Sequence, residues 1–202
     1  METLIDLILA ERGPKVKIII FSRHGDKTPD NHITSECLQE IISNGMPHLD
    51  SRINVLQHGS ALPRTEETAL AAAIWITRNG GTITKHLPAD ERLGSDRMFQ
   101  ELYTEEIKKK MKTYGYKNYE ALVEGNIGGL MVFEVEVGEA VYTMFDNMTP
   151  GDIALSANHS PTVEAAFNYF STPENGDIKM SIASLDGIII AQDEEEKIFI
   201  YR

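Results

Sequence analysis

The stretch KVKIIIFS, residues 15–22, constrains the possible folds more than any other part of the chain. A short apolar run rich in β-branched isoleucine, closed by the polar residues of RHGDKTPD, reads as a buried strand. TSECLQEIISNG (34–45) follows with helical spacing, Thr34 or Ser35 as its cap and Gly45 at its end. RINVLQ (52–57) is a second strand, and TITKHL (82–87) a third. Between them SALPRTEETALAAAIWITR (60–78) reads as a long Ala-rich helix with Pro63 near its first turn, stopped by Gly80-Gly81. VGEAVYTMFDNM is a further helix, and DIALSA (152–157) a fourth core strand feeding into Asn158-His159-Ser160-Pro161 and the helix TVEAAFNYF. The chain closes with SLDGIIIAQ and KIFIYR across an acidic turn, a hairpin signal. Strands alternating with helices of this length predict a three-layer α/β/α sandwich around a mostly parallel sheet.

Residues 91–136 break the alternation. They hold a charged helix around EEIKKKMK and a polar, Gly-containing stretch near EGNIGG. This region is expected to be a helical cap or insertion within one domain spanning 1–202, and it could shape a pocket. The stripe Leu70, Ile74, Trp75 is expected in the core.

The bulk numbers exclude several classes. With 19 basic and 31 acidic residues the formal net charge is −12. That opposes nucleic-acid binding, which depends on neutralising phosphates with Lys and Arg. An anionic ligand would then need a local cluster of positive groups. Cys37 is the one cysteine, so neither an intramolecular disulfide nor a Cys-based zinc site is expected. No apolar run reaches the roughly 20 residues of a membrane span. METLIDLILAERG carries acids where a signal peptide carries bases and has the spacing of a short amphipathic helix. A cytoplasmic protein without membrane partners is the expectation, with the oligomeric state open.

In sheets of this kind functional groups gather beyond the C-terminal ends of the strands. The first strand delivers Arg23-His24-Gly25, and the second leads through His58-Gly59 to Arg64. The third leads to PADERLG, with Asp90, Glu91 and Arg92, and the fourth to His159. Arginines present planar donor forks that match phosphate oxygens and stay charged at any working pH. A neutral imidazole is a competent nucleophile toward phosphorus. A carboxylic acid beside the leaving oxygen could protonate it and then deprotonate the attacking water. Such chemistry needs no metal and no cofactor, and the histidines lack the close spacing of a metal site.

SRHG at the first strand end, ALPRTEETA on the next helix and SANHSPTVEA after a late strand resemble the histidine phosphatase superfamily, with its phosphoglycerate-mutase-like fold. The resemblance covers about residues 17 to 170 and lies on its mutase-like branch. It implies that His24 is the nucleophile that becomes phosphohistidine. Arg23, Arg64 and His159 would form the phosphate pocket. The acid implied is Glu91, with Asp90 and Asp96 as fallbacks. In the acid-phosphatase branch an Asp follows the second histidine, and here Ser160 stands there.

The resemblance therefore implies a metal-independent phosphatase acting on a phosphorylated small molecule or protein. A mutase is the alternative, against which DKTPDNHIT lacks the Trp- and Asn-bearing stretch that follows RHG in phosphoglycerate mutases. A catalytically weak binder of phosphorylated ligands is another. Plainer readings exist for each residue taken singly. His24 could be a solvated strand end, Arg64 a helix-surface partner of Glu67 or Thr68, His159 a donor to a carbonyl, and Glu91 a surface acid. His58 and His86 read as loop residues that could line the pocket.

Overall fold

The computed structural model describes residues 2–114, 118–171 and 182–202. Helix α1 (Leu4–Arg12) starts at a capping box, in which Thr3 Oγ1 accepts the Asp6 N–H and the Asp6 carboxylate accepts the Thr3 N–H. The chain continues through β1 (Lys17–Arg23), α2 (Ser35–Asn44), β2 (Val55–Gln57), α3 (Pro63–Arg78) and β3 (Lys85–Leu87). A single 3-10 turn, Glu91–Leu93, leads to α4 (Asp96–Leu102), α5 (Glu105–Tyr114), α6 (Asn118–Gly125) and α7 (Ile127–Asp146). Strand β4 (Ile153–Asn158), helix α8 (Ser160–Phe170) and the hairpin β5 (Gly187–Gln192) and β6 (Ile198–Tyr201) complete the order.

The six strands form one sheet in the order β3-β2-β4-β1-β5-β6. Strands β3, β2, β4 and β1 are parallel neighbours, and β5 runs antiparallel to both β1 and β6. Side chains of β1 alternate between two cores. Ile18 and Ile20 pack with Ile5, Ile8, Ile41 and Ile76 from α1, α2 and α3. Ile19 and Phe21 pack with Phe133, Val141 and Phe145 of α7 and Val163 of α8 on the other face. Each such side chain contributes roughly 1.5–3 kcal/mol by leaving water. The α/β/α sandwich predicted from the alternation is the observed architecture. No helix among the described residues is long and apolar enough to cross a membrane.

Three local readings change. Strands β2 and β3 are shorter than 52–57 and 82–87. Asn54 Oδ1 accepts the Ile153 N–H at 2.9 Å, and Asp50 turns Arg52 away through a 2.9 Å bond to its N–H. Helix α7 begins ten residues before the predicted start at 137, passing through Gly128 and Gly129. Asn126 caps it, and Leu130, Phe133 and Val137 bury at helical spacing, which outweighs the cost of two glycines. Leu70 and Ile74 are exposed, not core, since α3 turns that edge to solvent and buries Ala69, Ala72 and Ile76 instead. Residues 91–136 carry the 3-10 turn, α4, α5, α6 and the first half of α7, and 115–117 lie outside the described residues. The 3-10 turn, α4 and α6 pack against α7, α6 also against α8, and together they share the core of Ile19 and Phe21.

Candidate active site

Parallel pairing brings the C-terminal ends of β1, β2, β3 and β4 to one rim. Arg23 pairs with Asn158 in register, and the His24 N–H donates to the Asn158 carbonyl at 2.7 Å. His24 and His159 therefore leave adjacent strands side by side, with ring centroids 5.1 Å apart. Gly59, at φ 64°, lets the loop after β2 lie against β4, since a Cβ there would fall 1.8 Å from the Ala157 carbonyl oxygen. That approach carries Ser60 to His159 and starts α3 so that Arg64 faces both histidines.

The contacts fix the protonation states. His24 Nδ1 lies 2.5 Å from the Gly25 carbonyl oxygen and donates to it, which leaves the Nε2 lone pair toward the cavity. Arg64 Nε donates to that Nε2 at 3.0 Å, and a second guanidinium nitrogen donates to His159 Nδ1 at 3.1 Å. His159 Nε2 then donates to Ser60 Oγ at 2.6 Å. Both rings are neutral. Burial, with Arg64 and Arg23 nearby, lowers the His24 pKa to about 3, and the same causes pull His159 well below the usual histidine value. Burial also lowers Arg64. Arg23 donates to the Ile182 carbonyl at 2.5 Å, while its buried Nε has no partner among the described residues.

These groups line a cavity of about 180 Å³. Arg23, His24, Arg64 and His159 are brought together there, as the sequence spacing anticipated. Phe99 of α4 and Tyr103, the residue that caps the C-terminal end of that helix, form part of the cavity wall. The Phe99 ring stands edge-on to His159, with centroids 5.0 Å apart. Helices α3 and α8 begin at this rim with proline in their first turns, and their N-terminal dipoles add positive character.

Glu91 is not brought into the cavity. Its side chain is exposed and outside the lining, because the 3-10 turn points its backbone, through Gly94, at His159 instead. Asp90 is tied to Arg92 at 2.5 Å, and though burial pushes its pKa up, the Arg92 bonds bring it below the usual value. Asp96 is exposed beside Phe99 and Tyr103, close enough to Arg64 to stabilise its charge. The plainer reading of Arg64 fails, because Glu67 accepts from Ile33 N–H and contacts His32, and Thr68 accepts the Gly25 N–H. His58 and His86 stack on each other, centroids 5.8 Å apart, and neither lines the cavity.

Sequence reasoning missed Lys27 and Asp26, both in the lining. Lys27 Nζ and an Arg64 nitrogen both donate to Asn31 Oδ1, at 3.0 and 3.3 Å, so one amide holds two cations together. A Lys two residues past Gly25 was the available signal, but only the folded loop 26–34 aims it inward. Among the described residues no three His, Cys, Asp or Glu side chains group as metal ligands would.

Solved structures place this architecture. A phosphoglycerate mutase from Bacillus anthracis str. Sterne superposes with a TM-score of 0.60 at 10% identity, over 95% of this chain and 94% of that one. A structure described as mycobacterial hydrolase 1 gives 0.57 at 9% identity, over 93% and 97%. A phosphoserine phosphatase from Entamoeba histolytica, in complex with 3-phosphoglyceric acid, gives 0.52 at 12% identity, over 92% and 95%. No protein-family model matches the chain. No curated protein matches it in sequence. The chain has the phosphoglycerate-mutase-like fold. A fold alone does not assign chemistry, so the function is argued from the site.

Proposed function

We propose that the protein is a metal-independent phosphatase that hydrolyses a phosphorylated small molecule or protein through a phosphohistidine on His24. The observation that carries this reading is the ring of contacts around one neutral imidazole. Gly25 fixes its tautomer, and Arg64 bridges from its Nε2 to His159. A phosphoryl group entering the cavity takes over the Arg64 donors and frees the His24 Nε2 lone pair. Arg23, Arg64 and Lys27 neutralise the three equatorial oxygens as charge shifts to the leaving group. His159, released by Arg64 and facing a dianion, takes up a proton and becomes a donor to the same oxygens. Water then attacks phosphorus from the side the leaving group vacated.

Against a chain of net charge −12, three cations around one small cavity provide the local cluster that an anionic substrate requires. Phosphate release from p-nitrophenyl phosphate, with and without chelator, tests the reading. His24→Ala is expected to lower kcat/KM by at least about 10⁴-fold. Equal rates for the variant and the unaltered protein, or loss of turnover on adding chelator, would overturn it.

A further inference from the structure

Behind the cavity wall lies a carboxyl group that the chemistry above does not use. Glu164, one turn into α8, is fully buried. Its Oε1 lies 2.8 Å from Ser160 Oγ and accepts the Ile182 N–H at 2.5 Å, while its Oε2 has no partner among the described residues. Ser160 lines the cavity next to His159, and its hydroxyl bonds to the buried carboxyl behind that wall. Two further polar atoms at this wall, Arg23 Nε and Tyr103 OH, are buried and have no partner among the described residues.

A glutamine could bond Ser160 and Ile182 from the same place without the cost of burying an ionisable group, but it has no proton to exchange. An acid kept in such a place, beside a cavity, points to proton chemistry. Burial raises the Glu164 pKa to about 8, so the group holds a proton at neutral pH and can still release it. The other acids do not compete on geometry. Glu91 is outside the cavity, and Asp26, exposed at its mouth, already accepts from Ser184 at 2.5 Å.

Resting on the phosphatase reading, we propose that Ser160 passes a proton to the leaving oxygen and that Glu164 replenishes it. As the His24 Nε2–P bond forms and the P–O bond breaks, the Ser160 hydroxyl proton moves to the leaving oxygen. Ser160 Oγ simultaneously takes the Glu164 proton, which leaves a carboxylate. In the second step water attacks phosphorus and the Nε2–P bond breaks. A water proton goes to Ser160 Oγ, whose own proton returns to Glu164. Ser160 thus touches the reacting atoms, and Glu164 acts through it. Such a relay suits a substrate whose leaving group is an alcohol, since an alkoxide must be protonated as it departs. The substrate class implied is an alkyl phosphomonoester, such as a phosphorylated sugar, polyol or hydroxyamino acid.

The test compares two substrates, p-nitrophenyl phosphate, whose leaving group departs unprotonated, and glycerol phosphate, whose leaving group does not. Ser160→Ala and Glu164→Gln are expected to lose about 10²-fold or more in kcat/KM on glycerol phosphate. On p-nitrophenyl phosphate the loss in each variant should be at least about tenfold smaller than its loss on glycerol phosphate. The glycerol phosphate rate should also fall as pH rises through about 8, and Glu164→Gln should abolish that fall. Parallel losses on both substrates, no loss on either, or a selective loss in Asp26→Asn instead would overturn the relay and leave the phosphatase reading standing. Turnover of neither substrate by the unaltered protein would overturn both.

Discussion

The ends of β1 and β4 and the loop after β3 lie on the same rim of the sheet, and both carry charged residues. At the first, His24 and His159 are held by strand register, by Arg64 and by backbone carbonyls, with exposures of 7% and 2%. At the second, Asp90 folds back on Arg92, while Glu91 and Asp96 face solvent. The histidines and Arg64 are fixed by contacts that reach across 40 to 99 positions of sequence, such as Arg64 to His24 and His159 to Ser60. The backbone of the turn is pinned by distant residues too, but the Asp90 side chain bonds only to Arg92, two positions away. Groups placed by long-range pairing are preorganised for chemistry, and groups on a short turn are placed by whatever local bond is available.

That contrast can be broken most severely at Arg64. Arg64→Lys keeps the charge but cannot bridge two imidazoles, and is expected to lower kcat/KM for p-nitrophenyl phosphate by on the order of 10²–10³-fold. A loss below tenfold would mean that the bridge does not organise the site. Thermal unfolding probes the same region through pH. The folded-state pKa values of His24 and His159 lie below the unfolded value of 6.5, so the unfolded chain binds more protons as pH drops. Stability from these two groups is full above about 6.5 and is lost as pH falls toward about 3. The midpoint temperature should therefore decrease between pH 7 and pH 5, and His24→Ala should reduce the slope. An unchanged slope in the variant would show that His24 is not buried as a neutral ring. The smallest effect is expected in the loop. Glu91→Gln should alter kcat/KM by less than about threefold, whereas a working proton donor would cost about 10²-fold. A large loss would show that this loop closes over substrate and brings Glu91 to the leaving group.

Much of this was legible in the residues. KVKIIIFS had to be a strand covered on both faces, and Ile18 to Phe21 are indeed all fully buried. Arg23, His24, Arg64 and His159 could be named because each follows a strand, and parallel strands end on the same rim. The start of α7 was not legible, because burial of Leu130 and Phe133 against distant helices overrode local glycine chemistry. Lys27 and Glu164 were missed for a related reason. One sits on an irregular loop, and the other looks like any glutamate on the polar side of a helix until α8 is packed with that side inward.

By itself the sequence determined the alternation of strands and helices, and with it the rim where Arg23, His24, Arg64 and His159 meet, because periodicity and turn residues act locally and parallel pairing does the rest. Which acid is buried behind the cavity wall was decided only by the tertiary structure. Carboxylates are alike in sequence, and desolvation, a property of the packed surroundings, is what separates buried Glu164 from exposed Glu91.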